Sequence, residues 1–175
     1  MKRSLMNRSL AIAILFLPLL LGSVLAGAQQ NANSANQELP LKEIVKLPGK
    51  LLSEAKTTGQ SGNLKLTGYR VEEVQLPRNV NAVVRGQQVV TDKAWRVTVT
   101  GGPFPVRTMP AVIWIDDQIA GYGIENETLS QITAVIFDSS LIHEGGIVSL
   151  SYSEDKEGRV RLSPALRLKS EGENQ

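Results

Sequence analysis

Two neighbouring stretches decide the fold: Trp95-Arg96-Val97-Thr98-Val99-Thr100 and Ala111-Val112-Ile113-Trp114-Ile115. In the first, Trp95, Val97 and Val99 alternate with Arg96, Thr98 and Thr100, the period-two pattern of a strand with one dry and one wet face. The second has no polar position, which predicts a central strand buried on both faces. Upstream, Leu64 and Leu66 alternate with Lys65 and Thr67, and after Gly68 the parity moves to Tyr69 and Val71, as a bulge causes. Val80, Ala82 and Val84 continue as far as Gly86. Downstream, Asp116-Asp117-Gln118 turns the chain, followed by Ile119 to Glu125, Gln131 to Phe137 and Ile147 to Tyr152. Glu154 to Gly158 reads as a hairpin turn. Val160, Leu162, Pro164, Leu166 and Leu168 then share one parity, and Pro164, which has no N–H to donate, places that last strand at a sheet edge. Short strands at intervals of about 8–12 residues are the all-β pattern. Strands with one dry face pack as two sheets over one core, so the expected fold is a β-sandwich over residues 64–169, with a small β-barrel as the alternative.

The ends read differently. Met1 to Ala28 has the form of a secretory signal: Lys2, Arg3 and Arg8, then the apolar run Leu10 to Leu21, then small residues that suit a cut after Ala28 or after Ala26. The apolar run is short for a membrane span and carries Pro18. Gln29 to Gln37 is polar, uncharged and of low complexity, a spacer composition. Residues 29–63 as a whole read as a flexible linker, with a possible short helix at Lys50 to Lys56, where Leu51, Leu52 and Ala55 share a side. Ser170 to Gln175 is a polar tail.

Charge and composition narrow the chemistry. The net +2 resides in the N-terminal signal, and removing it leaves 16 basic and 17 acidic side chains, a net of −1. That balance and the exported location argue against nucleic-acid binding. The expected compartment is the bacterial periplasm or the cell exterior. With no Cys, disulfides, thiol catalysis and Cys-ligated zinc are excluded, so the fold must be held by its apolar core.

The segment from Trp95 to Tyr152 resembles the IPT/TIG family of immunoglobulin-like domains. Val97 to Phe104 is similar to the family's opening strand, Gly-containing turn and Phe. Ala111 to Ile115 resembles its next strand, Ile132-Thr133-Ala134-Val135 a later one, and Gly145 to Leu150 its Gly-led closing strand. The chain departs from the family pattern at Asp116-Asp117-Gln118, where the family has a Gly-rich turn, and Leu64 to Val90 has no counterpart. The resemblance implies a structural, dimerising or ligand-contacting module, with no catalytic residues to carry over.

Candidate site residues are few. His143 is the sole His, and no nucleophile-elbow pattern G-x-S-x-G accompanies it, so a triad is not expected and the chain reads as a non-enzyme with no cofactor. Asp116 and Asp117 are candidate ligands for Ca²⁺, and Tyr122, between two Gly, is the best candidate to stack on a carbohydrate. With Asn126 these form a speculative ligand-binding set in the end loops; no metal-binding motif is present. Asn126-Glu127-Thr128 also matches a glycosylation acceptor. Trp95 and Trp114 read as core, whereas Arg159, Arg161, Arg167 and Lys169 read as an outward face that protects an edge strand. The leading expectation is an exported module that makes protein or cell-envelope contacts, with edge-strand addition as the mechanism. The alternative is a binder of carbohydrate or Ca²⁺ at the end loops.

Overall fold

The computed structural model describes residues 39–61, 64–154 and 158–169. The N-terminal stretch expected to be a secretory signal, the expected Gln29–Gln37 spacer and the polar tail lie outside the described residues. A helical turn α1 (Leu41–Ile44) precedes nine strands: β1 (Gly49–Ser61), β2 (Leu64–Val84), β3 (Gln87–Gly101), β4 (Val112–Ile115), β5 (Gln118–Tyr122), β6 (Ile124–Glu125), β7 (Gln131–Ile136), β8 (Val148–Ser151) and β9 (Val160–Arg161). They form two antiparallel sheets, one ordered β1-β2-β3-β7-β6 and the other β5-β4-β8-β9. The molecule is an all-β sandwich, and each sheet keeps its own edges instead of closing into a barrel.

The alternation read from the sequence has its physical counterpart between the sheets. Val71, Val97, Val99, Ile132 and Ala134 from the larger sheet meet Ile113, Ile115, Val148 and Leu150 from the smaller one, all fully buried or nearly so. All four residues of β4 are buried, because Ile113 and Ile115 face this core while Val112 and Trp114 are covered on the other side. The bulge falls at the expected place, as a register shift between Leu66 and Gly68. After β5 the chain leaves the smaller sheet and joins the larger one as β6. Gly123 is the crossing point, and a Cβ there would sit 2.2 Å from Ile132 Cγ2, so the crossing chain runs too close to the Ile132 side chain to carry one of its own.

Three sequence expectations change. Lys50 to Lys56 is not a helix but part of β1, an edge strand paired along β2 from Gly49↔Val74 to Ser61↔Leu64. A bulge between Leu51 and Ser53 breaks the alternation there, which is why the apolar spacing imitated a helical face. The folded part therefore includes residues 39–61, assigned above to a linker, and the short helical turn lies earlier, at Leu41–Ile44. The final strand is also shorter than its alternation suggested: β9 is Val160–Arg161, and the chain beyond it laces the edges through Leu166 N–H to Gly146 O (2.8 Å) and Lys169 N–H to Leu52 O (2.8 Å).

The outer face of the larger sheet carries a second apolar cluster. Ile44, Val74, Leu76, Val80 and Ala94 are buried there, with Leu39, Leu47, Val135 and Phe137 packed against them. The segment Leu39–Leu47 thus lies as a strap across one half of this face. Arg96 fastens it: Nη1 donates to Val45 O (2.5 Å) and Leu47 O (2.8 Å), while Nε and Nη2 donate to Glu72 Oε2 at 2.8 and 2.6 Å.

Candidate functional site

The four residues proposed as one ligand set are divided between the two ends of the sandwich. Asp116 and Asp117 form the turn before β5, and Tyr122 closes that strand, so the two groups stand roughly 17 Å apart at strand rise. At the first end, Asp116 is enclosed by its own chain. Its Oδ2 meets His143 Nε2 at 2.8 Å, its Oδ1 accepts from Ile147 N–H at 2.9 Å, and its carbonyl accepts from Arg159 Nη1 at 2.7 Å. Asp117 Oδ1 accepts from Arg159 Nη2 at 2.8 Å. These contacts tie the β4–β5 turn to the β7–β8 connection and to the start of β9. Among the described residues no cluster of acidic or imidazole side chains suits a metal ion.

Arg159 corrects another expectation. Instead of facing water with Arg161, its side chain is 5 % exposed and lies over the Trp114 ring, 4.9 Å from its centroid. Trp114 is itself buried and donates from Nε1 to Ser151 Oγ at 2.8 Å. The guanidinium is a lid on the smaller sheet's outer face, held by a cation–π contact and by the acidic turn.

Both ring nitrogens of His143 face acceptors, Nδ1 the Glu144 carbonyl at 3.0 Å and Nε2 the Asp116 carboxylate. The carbonyl contact and then the Asp116 hydrogen bond raise its pKa above 6.5, partly opposed by burial. This arrangement suits an imidazolium that joins two loops, whereas a general base needs one nitrogen free to accept a proton. The folded pKa exceeds the unfolded one, so the stabilisation is complete below the unfolded value and fades as pH rises through the folded value. An NMR titration should therefore place His143 above 6.5. Asp116→Asn should lower that value and cost more stability near about pH 5 than near about pH 8. A titration unchanged by the substitution would discount the Asp116 contact.

The opposite end holds Tyr122 and Asn126. Asn126 is fully engaged in shaping its own loop: Oδ1 accepts from Ser130 and Gln131 N–H, and Nδ2 donates to Thr128 Oγ1 and Ser130 Oγ. Tyr122 is 52 % exposed and donates to Glu154 Oε1, a bond that raises its pKa. Tyr152 lies nearby under Arg107, whose guanidinium is 4.8 Å from its ring centroid. Burial, then the charge of Glu125, pushes the Tyr152 phenol up to about 12, against the pull of Arg107.

No family model, curated protein or solved structure matches this chain. The site must be read from its own residues.

The residues that stand out at this end belong to the connection between β3 and β4, which the sequence reading passed over. Val106 is 78 % exposed and Met109 63 %. The connection is anchored from within by Phe104, which is 1 % exposed and donates its N–H to Leu129 O at 2.7 Å. At the far end of the connection Gly123 N–H donates to Ala111 O, so Tyr122 is held close to the return into β4. The signal was present in Pro103-Phe104-Pro105-Val106-Arg107-Thr108-Met109-Pro110, where apolar residues sit between prolines with no strand alternation.

Proposed function

We propose that this chain is an exported, non-enzymatic module of the immunoglobulin-like, IPT/TIG type that makes protein or cell-envelope contacts through the end of the sandwich bearing Val106, Arg107, Met109 and Tyr122. The carrying observation is that large apolar side chains project into solvent from a loop whose base is locked into the core by Phe104. Met, Tyr and Arg are enriched at protein interfaces, and loops on a rigid sheet scaffold are where binding residues concentrate. The signal-like N-terminus supports the exported location, and among the described residues no helix is long and apolar enough to cross a membrane. Edge-strand addition loses appeal at β1, because its start is already engaged by the C-terminal segment. The reading as a carbohydrate or Ca²⁺ binder at the end loops gains no support, since Asp116, Asp117 and Asn126 are engaged with their own chain and lie at different ends.

A photo-crosslinking side chain placed at Thr108 should yield a defined adduct with a protein or envelope component. The double variant Val106→Ser, Met109→Ser should reduce that adduct about tenfold or more, as expected when hot-spot residues are truncated. A crosslinker at Asn79, on the β2 bulge, is the control. Equal adduct yield from both positions, or none at Thr108, would remove the case for this surface.

A further inference from the structure

Among the described residues, the strap covers only one half of the outer face of the larger sheet, and the other half has a different chemistry. Cross-strand register defines it. One row runs Lys56, Gly68, Thr100, Gln131, and the adjacent row runs Glu54, Arg70, Thr98, Thr133. The next row contains Glu72 and Arg96, where the strap begins. Gly68 gives the open half its depth: a Cβ there would lie 2.5 Å from Ala55 O and 3.3 Å from Thr100 Oγ1, so the sheet floor is bare at that point. The result is a hollow of about 450 Å³, within the size range of small-ligand sites.

We propose that this hollow binds an acidic saccharide, a sugar unit carrying a carboxylate. Hydroxyl groups of Thr67, Thr98 and Thr100 and the amide of Gln131 supply both donors and acceptors, the requirement for recognising a ligand whose own groups are hydroxyls. The hydroxyls already form a loose ladder, Thr67 Oγ1 to Thr100 Oγ1 at 3.4 Å and Thr98 Oγ1 to Thr133 Oγ1 at 3.1 Å. Lys56 and Arg70 place two cations in the hollow against one carboxylate, Glu54. Arg70 shares its charge with Glu72 Oε1 at 3.0 Å, which leaves Lys56 as the main anchor for an incoming carboxylate and Glu54 as an acceptor for sugar hydroxyls. An extended peptide fits less well. The strap shows what a peptide needs on this face: Arg96 holds its carbonyls, but Ile44, Leu39 and Leu47 supply the buried apolar area. Of the residues lining the open rows only Ala55 and Tyr69 are apolar, and the rest, Gly68 apart, carry hydroxyl, amide or charged groups.

The test uses the chain from residue 29 onward, digalacturonate as probe and the neutral disaccharide of galactose as its partner, with amide chemical shifts read by NMR. Digalacturonate should move the amides of Lys56, Gly68, Thr98, Thr100 and Gln131, and should bind at least fivefold more tightly than the neutral sugar. The isosteric double variant Thr98→Val, Thr100→Val should weaken binding roughly tenfold, and Lys56→Gln should bring the acidic sugar to the level of the neutral one. The wild-type shift map stands even where a variant misfolds. Four results overturn the proposal: no shifts at about 10 mM probe, shifts centred on another surface, equal binding of both sugars, or stronger shifts of the same amides by the peptide Glu-Gly-Glu.

Discussion

Arg96→Met is expected to destabilise the fold by about 3 kcal/mol or more and to release the strap. Arg96 and Glu72 face each other across β3 and β2, with side chains 12 % and 8 % exposed and Nη2 to Oε2 at 2.6 Å. The cost comes from what remains: the Glu72 carboxylate would be left in a nearly dry position with, among the described residues, only Arg70, a half-exposed partner, to balance it. The carbonyls of Val45 and Leu47 would lose their donor in the same step. Two measurements separate these parts. Chemical denaturation gives the total, and hydrogen exchange at Val45, Lys46 and Leu47, whose N–H groups donate within the strap, reports its release. The double variant Arg96→Met, Glu72→Leu should recover part of the stability, since a buried pair exchanged for apolar groups is often near neutral, while strap exchange stays fast. A loss below about 1 kcal/mol for the single variant, with strap protection intact, would show that the fastening is decorative.

Arg96 also marks where sequence reading stops. Its place on a wet face opposite Val97 was legible from alternation, and so were the inner faces of β2, β3 and β7, because one face of each meets a single common core. That the wet face of β3 is itself half buried was not legible, because nothing in Trp95–Thr100 tells which segment will lie over Arg96. The strap arrives from about 50 residues upstream, and its Leu39, Ile44 and Leu47 read as a mixed apolar stretch punctuated by prolines. β1 was missed for a related reason: a bulge beside Leu51 and Leu52 erased the alternation, and the strand is defined by pairing with β2. The candidate ligand set failed on geometry. Asp116 and Tyr122 are near in sequence, but a strand between them carries them to opposite ends of the sandwich. Arg159 failed on competition, since the Trp114 face and the acidic turn together outweigh exposure to water. The exposed Val106 and Met109 were passed over because an irregular loop carries no period to read.

Phe104→Ala is expected to cost about 3–5 kcal/mol, the range for removing a buried aromatic side chain from a packed core. Phe104 is 1 % exposed and belongs to the main core cluster, yet it lies in no strand. It is the side chain by which the β3–β4 connection is anchored between the sheets, and its N–H to Leu129 O links that connection to the β6–β7 loop. The cavity left by alanine would therefore loosen the base of the loop that carries Val106 and Met109. Two effects should appear together. Thermal or denaturant unfolding should shift by the full amount, and adduct formation from Thr108 should fall even at temperatures where the variant is folded, because a loosened loop must be ordered again on binding. Phe104→Leu, which keeps most of the volume, should restore most of the stability and most of the adduct. If Phe104→Ala loses stability and keeps the adduct, the loop presents its apolar residues without help from the core. Contact would then depend on local composition instead of on the scaffold, and the reading of this end as a preformed surface would fall.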